Sequence, residues 1–426
     1  MRTPATDRGR LLLLCLFAGA VTVFTATVPL LRDWFDLRVY HGTIDAWIHH
    51  GGRVYDYRVP GTPYGFTYPP FAAVAMLPMA LVGLRTAIAA ALLLDLAALA
   101  AVVRILAGPI LRRHGWYGVA LTACALALFE PLRDTFSFGQ VNLVLLALVL
   151  TDCLLLATGR ERLAGIGIGL AAAAAALIAP DASHFYWTRA LWDTSRVGRL
   201  DYVSNQSLQG VLARLGVESR AVWALLAVLV LAVWVRRARR AAAAGDWPAA
   251  FALTGLTACL VSPVTWVHHL VWLLPSFALL LRAGHPRVAG ALYGVLCTSV
   301  VWLWCDDASG VDGFLGSNTY TWITLGLLLW LPTGQEPSGR RTISRSAKAV
   351  MAAPSVAAPA TASAAGQPGG RRAGAETSVA AGPAAAAAGG TWGPGLGRER
   401  SASSEPTGST RPAAANPQSS NARASS

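Results

Sequence analysis

The chain has 426 residues, of which 54% are hydrophobic and 13% charged, and its net charge is +13; the mean hydropathy is +0.47. A soluble domain carries about 25% charged residues, so this composition excludes a soluble enzyme and indicates a polytopic membrane protein. The positive charge is arginine set between apolar runs and in the tail. It forms no basic face with interleaved aromatics, which favours membrane orientation over nucleic-acid binding. Lys348 is the only lysine and lies in the tail, so the membrane part has no lysine to serve as base, Schiff-base former or phosphate ligand.

Taken in chain order, the first apolar run covers 11–31 after a basic start. It exceeds a signal-peptide core and no small-residue cleavage site closes it, so a retained first helix is expected. The stretch from Asp36 to Phe71 is polar and aromatic-rich, and reads as a long first loop that suggests catalysis at a membrane face. Segment 68–83 carries Pro69, Pro70 and Pro78, which predicts a re-entrant or surface-lying helix rather than a crossing. Further runs occur near 85–107, 117–131, 141–158, 163–179, 221–235, 247–262, 270–282, 288–304 and 318–332. Several are near the lower limit for a crossing.

Arg8 and Arg10, Arg112-Arg113, Arg160 with Arg162, Arg236-Arg237 with Arg239-Arg240, and Arg282 with Arg287 mark one side, taken as cytoplasmic. The expected fold class is an all-α polytopic membrane protein of about ten transmembrane helices with both termini inside. Segments 32–83, 130–142, 180–220, 262–269 and a smaller one around 304–318 then fall outside, with Trp34, Trp187, Trp192, Trp266 and Trp304 near the same ends. Residues 1–333 make the membrane domain. From 334 to 426 the Ala/Gly/Pro/Ser-rich composition cannot bury a core, and a disordered cytoplasmic tail is expected.

The chemistry-bearing residues gather in the outer segments. Asp36 closely follows the first helix; near the bilayer surface it either deprotonates an acceptor hydroxyl or stays a solvated charge. Asp33, Asp45 and Asp56 are rival carboxylates, and Arg38 and Tyr40 follow Asp36 at alternating positions. His268 and His269, in SPVTWVHHLVW, either bind a phosphate oxygen or sugar hydroxyl, or are structural. Six of the eight histidines lie in outer segments, but no H-x-x-E-H spacing supports a metal site. In EPLRDTFSFGQVN, the residues Glu130, Arg133, Asp134, Gln140 and Asn142 are candidates by their place at a helix end. The alternative there is a Glu130–Arg133 ion pair beside a turn at Gly139. Asn205, Gln206 and Ser207 close another outer loop after Arg196 and Arg199, which clamp a phosphate or are simply loop charges. Gly51, Gly52 and Gly61 are turn glycines, and the six cysteines show no disulfide or metal pattern.

The segments DLRVY, GGRVY, FTYPPF, GQVN, NQSLQGVL and SPVTWVHH, in this order between about Arg10 and Leu331, resemble the actinobacterial polyprenol-phosphate-mannose-dependent α-mannosyltransferases. These are integral-membrane glycosyltransferases of the GT-C fold. The resemblance implies a polyprenyl-phosphate-mannose donor, a glycolipid or glycan acceptor, and inverting transfer at the outer face to give an α-mannoside. It implies that no nucleotide sugar is needed; separately, no cofactor and no metal are expected. By motif, Asp36 corresponds to the catalytic base and His268 with His269 to the pair near the donor phosphate. Tyr68, Pro69, Pro70, Phe71, Gln140 and Asn142 correspond to cavity-lining positions. Arg38, Tyr40, Asn205 and Gln206 are expected to join them in binding substrate.

One departure stands out. After GIGIGLAAA the family continues with an I-K-x-x-P motif and two further helices, whereas here Ala171–Ala176 leads directly into Leu177 and Pro180. Roughly forty residues are missing, enough for two crossings, so the parity of the topology is kept. The alternatives to a working transferase are a catalytically defective family member and a non-catalytic transporter or lipid-handling protein. A transporter should show repeated halves and mid-helix charges. Asp95 and Asp152 are the only acidic residues well inside the runs.

Overall fold

A computed structural model describes residues 6–28, 32–193 and 197–334; the tail from 335 onward and Arg196 lie outside the described residues. In chain order the helices are α1 (Asp7–Thr27), α2 (Phe35–His49), α3 (Pro70–Ala75), α4 (Leu84–Leu128), α5 (Glu130–Phe138), α6 (Asn142–Ala157), α7 (Ile166–Ile178) and α8 (Pro180–Thr188). Then follow α9 (Leu208–Arg214), α10 (Arg220–Ala243), α11 (Trp247–Val261), α12 (Leu274–Arg282), α13 (Pro286–Cys297), α14 (Gly310–Ser317) and α15 (Thr319–Trp330). Among the described residues the only β contact is an isolated bridge between Arg58 and Gly65.

Among the described residues three helices are long and apolar enough to cross a membrane: α1, α4 and α10. A fourth crossing arises if α5 and α6, bent by 114° at their junction, form one broken span. The other apolar runs form helices of 9 to 15 residues, fewer than the roughly 20 a straight crossing needs. The 45 residues of α4 would extend about 67 Å if straight, twice the hydrocarbon thickness. Gly115 breaks this helix, at φ 59° and ψ −148°. Leu92, Leu96 and Leu99 before the break and Val119 and Leu126 after it line one cavity, so the two arms face each other. The second arm runs beside α1. Arg10 lies over the Tyr117 ring, 6.0 Å from its centroid, and Arg133, just beyond the arm, donates to the carbonyl of Val28.

The stretch read as a long first loop is helical in its first half. α2 buries Leu37, Tyr40 and Ile44, spaced three and four apart on one face, and the irregular part begins only after His49. Its packing is close: a side chain at Gly42 would meet the Tyr57 ring. Segment 68–83 folds as α3 followed by a 3₁₀ turn, Leu77–Leu81; at about 9 Å, α3 does not by itself cross a membrane. α7 and α8 are separated by Ala179 alone.

The main core forms where α11, α6 and the 3₁₀ helix Val267–Leu273 meet. Leu253, Leu256 and Leu260 pack with Leu143, Leu146 and Leu150, and with Leu270 and Val271. This core anchors the segment that carries the two histidines. At its edge, Arg214 of α9 donates to the carbonyls of Tyr202 (3.0 Å) and Asn205 (2.9 Å) and to Oδ1 of Asn318 (3.1 Å). Replacing Arg214 by methionine is expected to cost about 2–4 kcal/mol, because each carbonyl loses a charge-assisted donor. The loss should appear as a lower thermal midpoint of the detergent-solubilised protein.

Candidate functional site

A cavity of about 360 Å³ opens among the first polar segment, the α5–α6 junction, the stretch from α8 to Tyr202 and the 262–269 turn. Asp36, Tyr68, Pro69, Gln140, Arg199, Trp266, His268 and His269 line it together with Arg32 and Tyr202. Four segments far apart in sequence therefore share one polar site.

Local backbone chemistry aims Asp36. Asp33 and Trp34 adopt the left-handed region, at φ 51° and 48°, which is unfavourable for residues other than glycine. The turn is held by the Arg32 amide donating to Ser137 Oγ (2.7 Å) and the Trp34 amide donating to the Ser137 carbonyl (3.0 Å). Asp36 then falls in the first turn of α2, where the helix N-terminus favours a carboxylate. Gly139 ends α5 at φ 69°, and a Cβ there would lie 2.8 Å from the Cβ of Leu37. This close approach brings α2 onto the end of α5 and sets Gln140 against Asp36.

Gln140 links three groups. Its Nε2 donates to Asp36 Oδ2 at 2.6 Å, and its Oε1 accepts from the hydroxyls of Tyr68 (2.8 Å) and Tyr40 (3.1 Å). Burial pushes both phenols above their usual range, so they remain protonated donors. That fixes the amide orientation: its oxygen faces two O–H groups and its nitrogen faces the carboxylate. Burial also pushes the Asp36 carboxyl up to about 6, opposed by His268 and by the Gln140 hydrogen bond and reinforced by Asp134. Asp36 is thus ionised at neutral pH yet basic enough to take a proton.

Asp134, itself buried, joins two cavity residues. Its Oδ1 accepts from Arg32 Nε (3.2 Å), and its Oδ2 lies 3.6 Å from His268 Nδ1. Among the described residues neither ring nitrogen of His268 has a hydrogen-bond partner, although the side chain is buried. The backbone of His268 is fixed by Thr135 Oγ1 (3.1 Å) and Asn142 Nδ2 (3.4 Å), both donating to its carbonyl. His269 Nδ1 accepts from the Trp266 amide (3.0 Å). Burial, and then the neighbouring His268, push the His269 pKa well below its usual value, so it is a neutral imidazole with its proton on Nε2.

The remaining expected residues fall behind or beside the wall. Tyr40 is in the second layer, and Pro70 starts α3. Arg38 points away and pairs with Asp33. Asn205 donates to the carbonyls of Leu200 (3.0 Å) and Pro263 (3.2 Å), and its oxygen accepts from the Thr265 amide (2.9 Å). Gln206 donates to the carbonyls of Val203 (2.6 Å) and Ser317 (2.7 Å). Both tie loop to bundle and neither lines the cavity. Arg199 lies in the wall but is engaged bidentately by Asp201, at 2.6 and 3.1 Å. The Glu130–Arg133 ion pair does not form; Glu130 instead accepts from Trp302 Nε1 (2.5 Å) and from the Tyr320 hydroxyl. Among the described residues no three His, Cys, Asp or Glu side chains converge as metal ligands would.

Arg32 is the residue that sequence reasoning missed. An arginine closing an apolar run reads as an interfacial anchor, and only its proximity to Asp36 in sequence hinted otherwise.

Residues 66–175 and 171–263 match glycosyltransferase family 87. The two matches overlap at 171–175. A Mycobacterium tuberculosis polyprenol-phosphate-mannose-dependent α-(1-2)-phosphatidylinositol mannoside mannosyltransferase is 31% identical over 317 residues, covering 62% of this chain and 74% of the relative. Its namesake from Mycolicibacterium smegmatis is 32% identical over 299 residues, covering 56% and 68%. A phosphatidylinositol pentamannoside mannosyltransferase of M. tuberculosis is 31% identical over 319 residues, covering 64% and 72%. No solved structure matches the chain. The chain belongs to glycosyltransferase family 87.

Proposed function

We propose that this protein transfers mannose from polyprenol-phosphate-mannose to a glycolipid hydroxyl, with a phosphatidylinositol mannoside, the acceptor named for its relatives, as the first candidate. Residues 1–333 form the catalytic unit, a GT-C-like bundle of about ten crossings. Its first polar segment and re-entrant 68–83 lie on the outer face, where the cavity meets the substrates.

In this reading the acceptor oxygen attacks C1 of the mannosyl donor and gives its proton to Asp36. The C1–oxygen bond to phosphate breaks, and polyprenyl phosphate leaves with the bonding electrons. Attack opposite the leaving phosphate inverts the β-linked donor to an α-mannoside. Gln140 holds Asp36 against the cavity while Tyr68 and Tyr40 hold Gln140, and His268 and His269 stand where a phosphate can be met. The observation that carries the proposal is the convergence of Asp36, Gln140 and His268 in the wall of one cavity.

The test is incubation of the purified protein with polyprenol-phosphate-mannose and a phosphatidylinositol mannoside, with the product's anomeric configuration read by NMR. Absence of product would sink the proposal and favour the rival that the missing segment after Ala171 has left a defective family member. An active enzyme should also show an acidic limb in its pH profile. With Asp36 titrating near 6, activity should be level above that pH and fall roughly tenfold per unit below it, as the base becomes protonated. A profile flat down to pH 5 would exclude Asp36 as the base.

A further inference from the structure

We infer that Arg32 is the phosphate ligand of this site, receiving the phosphate of a polyprenyl lipid phosphate on its guanidinium fork with His268 alongside. The inference rests on the proposed transfer and deepens it.

The side chain of Arg32 is only 8% exposed. Its guanidinium lies between the rings of Phe138 and Trp302, 5.5 and 4.8 Å from their centroids, and Asp134 takes its Nε. Those contacts fix the plane of the fork. Among the described residues no hydrogen bond occupies its two terminal nitrogens, and since the side chain lines the cavity they are free to receive an anion from it. His268, with both ring nitrogens unpartnered among the described residues, lines the same cavity and faces the same Asp134. An anion between the two would satisfy both.

Among the described residues the other arginine in the wall is Arg199, which is exposed and already paired with Asp201. The membrane part has no lysine. Among the described residues Arg32 is thus the cation placed to compensate the leaving phosphate as it gains a second negative charge.

Arg32 also lines a second, apolar cavity of about 980 Å³ between the arms of α4, among Leu92, Leu96, Leu99, Val103 and Leu126. With a polar cavity on one side and an apolar one on the other, the guanidinium suits a phosphate that carries a hydrocarbon chain rather than a free phosphate.

The experiment compares binding of polyprenyl phosphate and of polyprenol of equal length to the purified full chain. The wild type is expected to prefer the phosphate at least tenfold, and Arg32→Gln to bind the two alike. Arg32→Lys, which keeps the charge but loses the planar fork, should lose at least threefold of the preference. Wild-type preference retained by Arg32→Gln, or absent from the wild type, would overturn the inference. If Arg32→Gln does not fold, an unchanged preference in Arg32→Lys overturns it instead. Competition by inorganic phosphate as strong as by the lipid would remove the lipid from the proposal. Asp36→Asn should keep the phosphate preference while losing transfer, so the binding site and the transfer reaction fail or stand separately.

Discussion

Replacing Asp36 by asparagine is expected to slow mannosyl transfer by roughly 10²–10⁴-fold, the usual contribution of a positioned general base. The substitution is nearly isosteric, and an amide oxygen can still accept from Gln140 Nε2, so the cavity keeps its shape. Stability should not fall. Burial raises the folded-state pKa of Asp36 from 3.8 to about 6, so the folded protein binds this proton more tightly than the unfolded chain. The carboxylate present at pH 7 therefore works against folding, and its removal should leave the thermal midpoint unchanged or higher. A strongly reduced rate with an undiminished midpoint identifies a catalytic group. Wild-type rates in Asp36→Asn would remove it as the base, and a lowered midpoint would recast it as structural.

Gly139→Ala is expected to behave in the opposite way, losing stability and activity together. At φ 69° a side chain costs about 1–2 kcal/mol. The new Cβ would also sit 2.8 Å from that of Leu37, an overpacking that costs about 1–3 kcal/mol. Leu37 cannot yield freely, because it is buried in the face of α2 next to Asp36. The strain is relieved by moving α2 away from α5, which stretches the 2.6 Å contact between Gln140 and Asp36. Thermal midpoint and transfer rate measured on the same preparation check this. A variant with unchanged midpoint and rate would show that α2 does not depend on the close approach at Gly139.

How far the sequence could be read depended on the range of each signal. The membrane class and the helical content were legible because each apolar run carries its own evidence. The helix at Phe35–His49 was not read, since its polar and aromatic residues suggested a loop, yet the spacing of Leu37, Tyr40 and Ile44 already carried a helical period. The two runs on either side of Gly115 were read as separate helices, and the structure joins them in one helix broken at that glycine; their fold-back around an apolar cavity depends on a φ/ψ choice that a glycine does not reveal. Asn205 and Gln206 looked like substrate ligands because amides in an outer loop have the right chemistry. Their hydrogen bonds to Pro263 and Ser317 spend that chemistry on the scaffold instead.

By itself, then, the sequence determined the all-helical membrane class, the family, the absence of lysine from the membrane part, and Asp36, Gln140, His268 and His269 as residues to watch. These properties are local, since composition and motif are written in consecutive residues. Only the tertiary structure decided which polar groups face a common cavity. It set Gln140 on Asp36, turned Arg38 away, placed Asn205 and Gln206 behind the wall, and brought Arg32 through Asp134 to His268. The contacts that set Gln140 on Asp36 and Arg32 on Asp134 join segments more than a hundred residues apart, where burial and hydrogen-bond satisfaction, not chain position, select the partner.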